Sequence, residues 1–310
     1  MNKIWLTGDA VVDLIPDGDN KYLKCPGGAP ANVAVAISRL GGNTAFVGRV
    51  GLDPFGHFLK EVLASEGVNV DYLTLDSQQR TSTVVVDLSD DGERSFTFMV
   101  KKSADQYFNS EDIPHFSEFD WLHTCSIAYA NQPSRSTTLE CIEKIQKAGG
   151  FVSFDPNLRE DVWADTDVMK TVVLDVISKA DVIKLSSEEL TFLTDVYSLE
   201  EAVKSLNLNE KQLVIVTLGD KGALYQINGQ QHLVPTRPVA VVDTTGAGDA
   251  FVGGMLYQLS QVNDWRNLVT INLAIKTGNM AGGLATTQKG AMTALPKKDA
   301  LYEVFNAEHC

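Results

Sequence analysis

Positive charge is scarce in this 310-residue chain, where 26 lysines and arginines face 40 aspartates and glutamates for a formal net charge of −14. No basic run interrupts that balance, which argues against nucleic acid or an anionic membrane surface as a partner. Cysteine is also sparse. Cys25, Cys125, Cys141 and Cys310 form no Cys-x-x-Cys pair and no metal-ligand spacing, so they read as reduced thiols. No apolar run approaches the roughly 18 residues of a membrane span. The chain opens directly on strand-like Lys3-Ile4-Trp5-Leu6-Thr7-Gly8 without a charged leader or cleavage site, which leads to the expectation of a cytoplasmic protein. Internal repeats, low-complexity tracts and linkers rich in Pro, Gly and Ser are absent as well, so one domain over 1–310 is expected.

What is present is a hydrophobic content of 44%, enough for a large core, distributed as short β-branched or aromatic runs that alternate with helical patterns. Strands are expected near 4–8, 44–50, 121–126, 151–155, 181–185 and 213–218, with helices near 31–40 and 54–65. The fold class is therefore α/β, a mostly parallel sheet flanked by helices. Residues 81–88 and 94–100 break the alternation. They read as a hairpin around Ser89-Asp90-Asp91-Gly92-Glu93, with Phe96, Phe98 and Val100 on one face. The hairpin is either an edge extension or a flap that closes over a ligand.

The densest chemistry lies in Asp243-Thr244-Thr245-Gly246-Ala247-Gly248-Asp249-Ala250-Phe251. The preceding run 239–242 reads as a strand, and Phe251, Met255, Leu256 and Leu259 have helical spacing. A glycine turn at the start of a helix lets backbone approach a ligand and leaves unpaired amides that can face an anion. Asp249 sits just inside that positive end. An acid beside an anion hole suits proton removal from an alcohol while the amides stabilise a transferring phosphoryl group. As a shorter motif, the same turn would be a helix cap.

Near the N-terminus, Asp9 and Asp13 follow the first strand, at the end of an open sheet where ligands bind. Pro26-Gly27-Gly28-Ala29-Pro30-Ala31-Asn32-Val33-Ala34 then makes a tight turn into a helix. Its Asn32 can donate and accept at once, as a vicinal diol requires. Phe154-Asp155-Pro156-Asn157-Leu158-Arg159 ends a strand with an acid, an amide and a guanidinium, the last suited to phosphate or sugar oxygens. Thr217-Leu218-Gly219-Asp220-Lys221-Gly222-Ala223 reads as strand-turn-strand, with glycines that admit a nucleotide or simply make a hairpin.

These motifs resemble the ribokinase-like (PfkB-type) family of carbohydrate kinases from Gly8 to Pro296. The signature Asp-Thr-x-Gly-Ala-Gly-Asp-x-Phe is matched at every fixed position, and Gly-Gly-x-x-x-Asn-x-Ala is matched at 27–34. The resemblance implies a ribokinase-like α/β fold with a small β lid, built from a strand inserted at about 10–24 and the hairpin at 81–102. It implies Asp249 as catalytic base and Gly246, Ala247 and Gly248 as anion hole. Sugar contacts would be Asp9, Asp13, Gly27, Gly28, Asn32, Phe98 and Arg159, and ATP contacts Thr217, Gly219, Gly222 and Asn279. Glu189, in a motif whose usual Asn is Ser186 here, would order water around Mg²⁺. Asp243, Thr245 and Gly290 would hold a monovalent cation, K⁺.

The usual lysine after Gly-Gly in ribose-specific relatives is Ala29 here. Together with Gly92-Glu93-Arg94-Ser95-Phe96-Thr97-Phe98 and Ser103-Ala104-Asp105, this favours the branch that phosphorylates D-fructose to fructose 6-phosphate. 2-Keto-3-deoxygluconate and aminoimidazole riboside are the alternative substrates, the keto acid because Lys101 and Lys102 follow the hairpin. A homodimer through the lid is a further implication. Gly48-Arg49-Val50-Gly51-Leu52-Asp53-Pro54-Phe55-Gly56 also fits the family and reads as structural. Two other classes compete: a nicotinamide dehydrogenase, disfavoured because no Gly-x-Gly-x-x-Gly follows the first strand, and a non-catalytic sugar sensor, disfavoured because base and anion hole are both intact.

Overall fold

A computed structural model describes residues 1–18, 20–88 and 94–306. The expected turn at 89–93 and the thiol of Cys310 lie outside the described residues. The chain opens with β1 (Ile4–Thr7), leaves the main sheet for β2 (Val11–Pro16) and β3 (Tyr22–Gly27), and returns through α1 (Ala29–Arg39) to β4 (Thr44–Gly51). After α2 (Pro54–Ser65) and β5 (Leu73–Asp76), a second departure forms β6 (Ser82–Leu88) and β7 (Arg94–Phe98). The remainder runs β8 (Trp121–Thr124), α3 (Ser134–Lys147), β9 (Phe151–Phe154), α4 (Thr166–Lys179), β10 (Val182–Ser186), α5 (Ser187–Thr194) and α6 (Leu199–Ser205). It ends with β11 (Leu213–Thr217), β12 (Ala223–Ile227), β13 (Gln230–Val234), α7 (Ala247–Leu259), α8 (Leu268–Ala285) and α9 (Lys298–Asn306).

The main sheet has the order β13-β12-β11-β10-β9-β8-β1-β4-β5. Its strands from β5 to β11 are parallel, and β12 and β13 extend one edge antiparallel. Parallel strands are covered on both faces, so their side chains divide between two cores. In β1, Ile4 and Leu6 join the cluster that includes α1, α7 and α8, while Trp5 joins the one that includes α3 and α4. The strand order reverses between β1 and β8. Such a switch point opens a crevice at the carboxyl ends of the strands, and here it opens at Asp9 and Cys125.

The second sheet, β3-β2-β6-β7, is the lid. β2 pairs antiparallel with β3 and parallel with β6, which pairs antiparallel with β7. The single lid strand expected over 10–24 is two strands that together reach Gly27. Tyr22 and Leu23 of β3 point their apolar groups to solvent, so the alternation that identifies a half-buried strand is missing there. β7 stops at Phe98, leaving Val100 beyond it.

The strand expected over 239–242 does not form. Val239, Val241 and Val242 are exposed, β13 already occupies the sheet edge, and Val239 and Val241 instead line a groove. Their β-branched character belongs to a cavity wall. Among the described residues, no helix is long and apolar enough to cross a membrane.

Candidate active site

Two cavities meet at the start of α7. Gly246, its N-cap, has φ 77°, and Ala247 and Gly248 begin the helix. Thr245, Gly246 and Asp249 line a cavity of about 120 Å³ under the lid. Thr244, Ala247 and Gly248 line a groove of about 520 Å³ on the other side. A single turn thus presents its carboxylate to one compartment and its first helical residues to the other.

The lid-side cavity gathers Asp9, Asp13, Gly28, Asn32, Phe98, Arg159, Gly246 and Asp249 from elements far apart in sequence. Asp9 follows β1, Asp13 lies in β2, Phe98 closes β7, and Asn32 is in the first turn of α1. Gly28 has φ 100°, and a β-carbon there would sit 2.4 Å from the Asp9 carbonyl oxygen, so the turn admits no side chain. Gly27 is not in the cavity wall. A β-carbon on it would lie 2.3 Å from Asp13 Oδ2, so its smallness leaves room for that carboxylate.

Asn32 Nδ2 donates to Asp249 Oδ2 at 2.8 Å, and Asn157 Nδ2 reaches Asp249 Oδ1 at 3.5 Å. Asn32 Oδ1 is buried and accepts no hydrogen bond among the described residues. A buried acceptor wants a donor, and Asn32 belongs to the cavity wall, where a ligand hydroxyl could supply one. Burial pushes the Asp249 carboxyl up to about 7; nearby Asp155 adds to this, while the Asn32 bond, Lys184 and Arg159 oppose it. Asp9 is raised by burial as well, against the pull of its own backbone, the Cys125 thiol and Arg159. Asp249 can therefore take up a proton near neutrality, the property wanted in a general base.

The second groove brings together Thr217, Gly219, Gly222 and Asn279 with Ala247 and Gly248. Thr217 ends β11, and a short 3-10 turn, Gly219–Lys221, separates it from β12. Asn279 Nδ2 donates to Val234 O at 3.0 Å, so this side chain also ties α8 to the end of β13. Small residues from α8, Gly282 and Gly283, and apolar Val239, Val241 and Phe251 complete the wall of this groove.

Asp243 organises its own loop. Its Oδ1 accepts from Thr245 N at 3.0 Å and from Thr245 Oγ1 at 2.7 Å, and its Oδ2 accepts from Gly290 N at 2.9 Å. The three residues of the expected cation site are thereby adjacent. Glu189 caps α5 in a reciprocal box with Ser186 and accepts from Leu158 N at 2.9 Å. Each carboxylate oxygen has two lone-pair sites, so these bonds leave capacity to order metal-bound water. No group of three or more His, Cys, Asp or Glu among the described residues could hold a metal directly.

Asn157, Cys125 and Ile127 line the lid-side cavity without having been singled out from the sequence. The acid-amide-guanidinium run at 155–159 carried a signal for Asn157, whose φ of 42° places it in the left-handed region. Cys125 and Ile127 carried none. Lys101 and Lys102 are exposed and are not in the wall of that cavity, where Arg159 is the cationic side chain.

Residues 1–298 match the family profile described as pfkB family carbohydrate kinase. The chain is 56% identical to a fructokinase of Vibrio alginolyticus, over 97% of this chain and 98% of that protein. It superimposes with a TM-score of 0.93 on the fructokinase of Vibrio cholerae O395 in its fructose, ADP and calcium ion bound form, at 58% identity and 98% coverage of each chain. Aminoimidazole riboside kinase from Salmonella enterica, complexed with aminoimidazole riboside and an ATP analog, superimposes with a TM-score of 0.92 at 39% identity, covering 98% of this chain and 99% of that one.

Proposed function

The chain belongs to the pfkB family of carbohydrate kinases, and from that premise we propose that it is an ATP-dependent fructokinase producing D-fructose 6-phosphate. One observation carries the mechanism: the buried Asp249 carboxyl faces the lid-side cavity from a turn whose next face lines the second groove. Fructose lies under the lid. Asp9, Asp13 and the Gly28 backbone hold its hydroxyls, Oδ1 of Asn32 accepts another, Phe98 and Arg159 close the cavity, and Gly27 leaves room for the Asp13 carboxylate. Its primary hydroxyl rests against Asp249.

ATP lies along Thr217, Gly219, Gly222 and Asn279, with the γ-phosphate toward the amides of 246–249. Asp249 takes the hydroxyl proton as the sugar oxygen forms its bond to phosphorus and the bond to the β-phosphate oxygen breaks. The turn's amides stabilise charge on the phosphoryl oxygens without reorganising. Glu189 would order water around Mg²⁺, which would supply neutralising charge to the nucleotide. K⁺ beside Asp243, Thr245 and Gly290 would steady the loop that carries the turn.

The exposed lid residues Tyr22, Leu23 and Met99 support the pairing of two lids in a homodimer, which sedimentation at increasing protein concentration would test. For the activity itself, ADP release is followed with Mg·ATP and a panel of fructose, ribose, 2-keto-3-deoxygluconate and aminoimidazole riboside, with and without K⁺. Saturable turnover highest on fructose supports the proposal. Higher kcat/KM on another member keeps the kinase and replaces the substrate, while silence on all four leaves the sensor reading.

A further inference from the structure

Lys184 is an anomaly in the core. β10 reads Val182-Ile183-Lys184-Leu185, a strand buried on both faces, and Lys184 is only 7% exposed. Its Nζ pairs with Asp155 Oδ2 at 3.1 Å and Oδ1 at 3.3 Å. An ammonium has three donors, so one N–H has no partner among the described residues. A buried ion pair of this kind is weak as a source of stability, because desolvating two charges offsets much of their attraction. Its position suggests another reason for it. A β-carbon built on Gly248 would lie 3.3 Å from Lys184 Nζ, which places the ammonium directly behind the turn that carries Asp249.

We propose that Lys184 is a positioning residue for phosphoryl transfer: held by Asp155 behind the 246–249 turn, it supplies the fixed positive charge that keeps Asp249 ionised for proton removal. This rests on the reading of Asp249 as general base. The groups that bear on Asp249 are Asn32 from α1, Asp155 and Arg159 around the end of β9, Lys184 from β10, and Asp9 and Asp13 across the cavity. Within that set the Asn32 hydrogen bond favours ionisation most, Asp155 opposes it, and of the two cations Lys184 favours it more than Arg159. Arg159 is exposed and screened by solvent, whereas Lys184 is enclosed, so its field reaches Asp249 through a low-dielectric path. Burial works against the charge of Lys184, but Asp155, Glu189 and Asp249 together hold its ammonium above the ordinary lysine value. The cation therefore persists at neutral pH. Its field also adds to burial in holding nearby His123 down at about 3.

The test is the pH dependence of kcat at saturating fructose and Mg·ATP for the wild type, K184M, K184Q, K184R and D249N. Losing the charge in K184M moves the acid limb up by about one pH unit, the usual weight of one close opposite charge, and lowers kcat at pH 7 by about fivefold. The KM for fructose changes by less than about twofold, because Lys184 does not line the cavity. K184Q still donates to Asp155 and gives the same shift, so it decides the matter should K184M not fold. K184R keeps the charge and keeps the wild-type midpoint. A limb at the wild-type midpoint in both neutral variants, whatever their kcat, overturns the proposal. Failure of the base assignment looks different: D249N then turns over at the wild-type rate, and the inference falls with it.

Discussion

Replacing Asp249 by Asn removes one proton-accepting oxygen while keeping the shape and an acceptor for Asn32 Nδ2, which now donates to Asp249 Oδ2 at 2.8 Å. Two magnitudes follow. A positioned general base is worth about 10²-fold to 10⁴-fold in rate, so kcat falls by that factor while fructose affinity stays within a few-fold. In the wild type, with the carboxyl near 7, about one tenth of the unliganded enzyme is ionised at pH 6 and about nine tenths at pH 8. kcat/KM therefore rises about tenfold across that interval, and the variant's residual rate is flat across it.

Stability moves in the opposite sense. The folded value lies above the ordinary 3.8, so the folded state holds the proton more tightly and the contribution of this group is full below about pH 4. It is lost as pH rises to about 7. The difference between the two values corresponds to an upper limit of about 4 kcal/mol, so D249N gains stability over wild type at pH 8 that it lacks at pH 4. Steady-state kinetics in a coupled ADP assay, paired with thermal melts at both pH values, reads every quantity. Near-wild-type turnover in D249N, or a loss of rate without loss of the pH 6–8 slope, refutes the assignment.

Gly28→Ala forces a side chain onto a residue at φ 100° and within 2.4 Å of the Asp9 carbonyl oxygen. It should cost about 1–3 kcal/mol in denaturant melts and raise the KM for fructose more than that for ATP; equal effects on both would show that the turn is not tied to the sugar side. Asp105 is enclosed, and burial together with the Asp9 charge raises its carboxyl to about 7 against a hydrogen bond with Ser103. Asp105→Asn should therefore stabilise the protein at pH 8 by more than at pH 5, by a few kcal/mol at most, and an equal change in Tm at the two pH values would remove ionisation as the cause.

Much of this was legible in the chain because the informative signals are local. The parallel strands are short apolar runs whose burial on both faces leaves little ambiguity, and α2 covers the 54–65 span expected from its sequence, capped by Asp53, which accepts from Phe55 N and Gly56 N. The glycine turns were legible for a similar reason. A β-carbon on Gly28 would lie 2.4 Å from the Asp9 carbonyl oxygen, and the positive φ there favours glycine as well. What was hidden depends on partners distant in sequence. Lys184 meets Asp155 from 29 residues away, and Asn32 meets Asp249 from 217 residues away.

The valines at 239–242 misled because β-branched residues suit an apolar groove as well as a strand, and no local feature separates the two. β3 was missed for the converse reason. Its pairing with β2 is supplied by backbone bonds, whereas its side chains, with Tyr22 and Leu23 outward, lack the usual alternation.

The most direct test of the central claim is to incubate the enzyme with Mg·ATP and uniformly ¹³C-labelled fructose and to read carbon–phosphorus coupling by NMR. The account predicts that C6 acquires the coupling as ATP is converted to ADP in equal amount, and that D249N does not produce it on the same timescale. Phosphorus on C1, or ADP formed without any sugar phosphate, would contradict it.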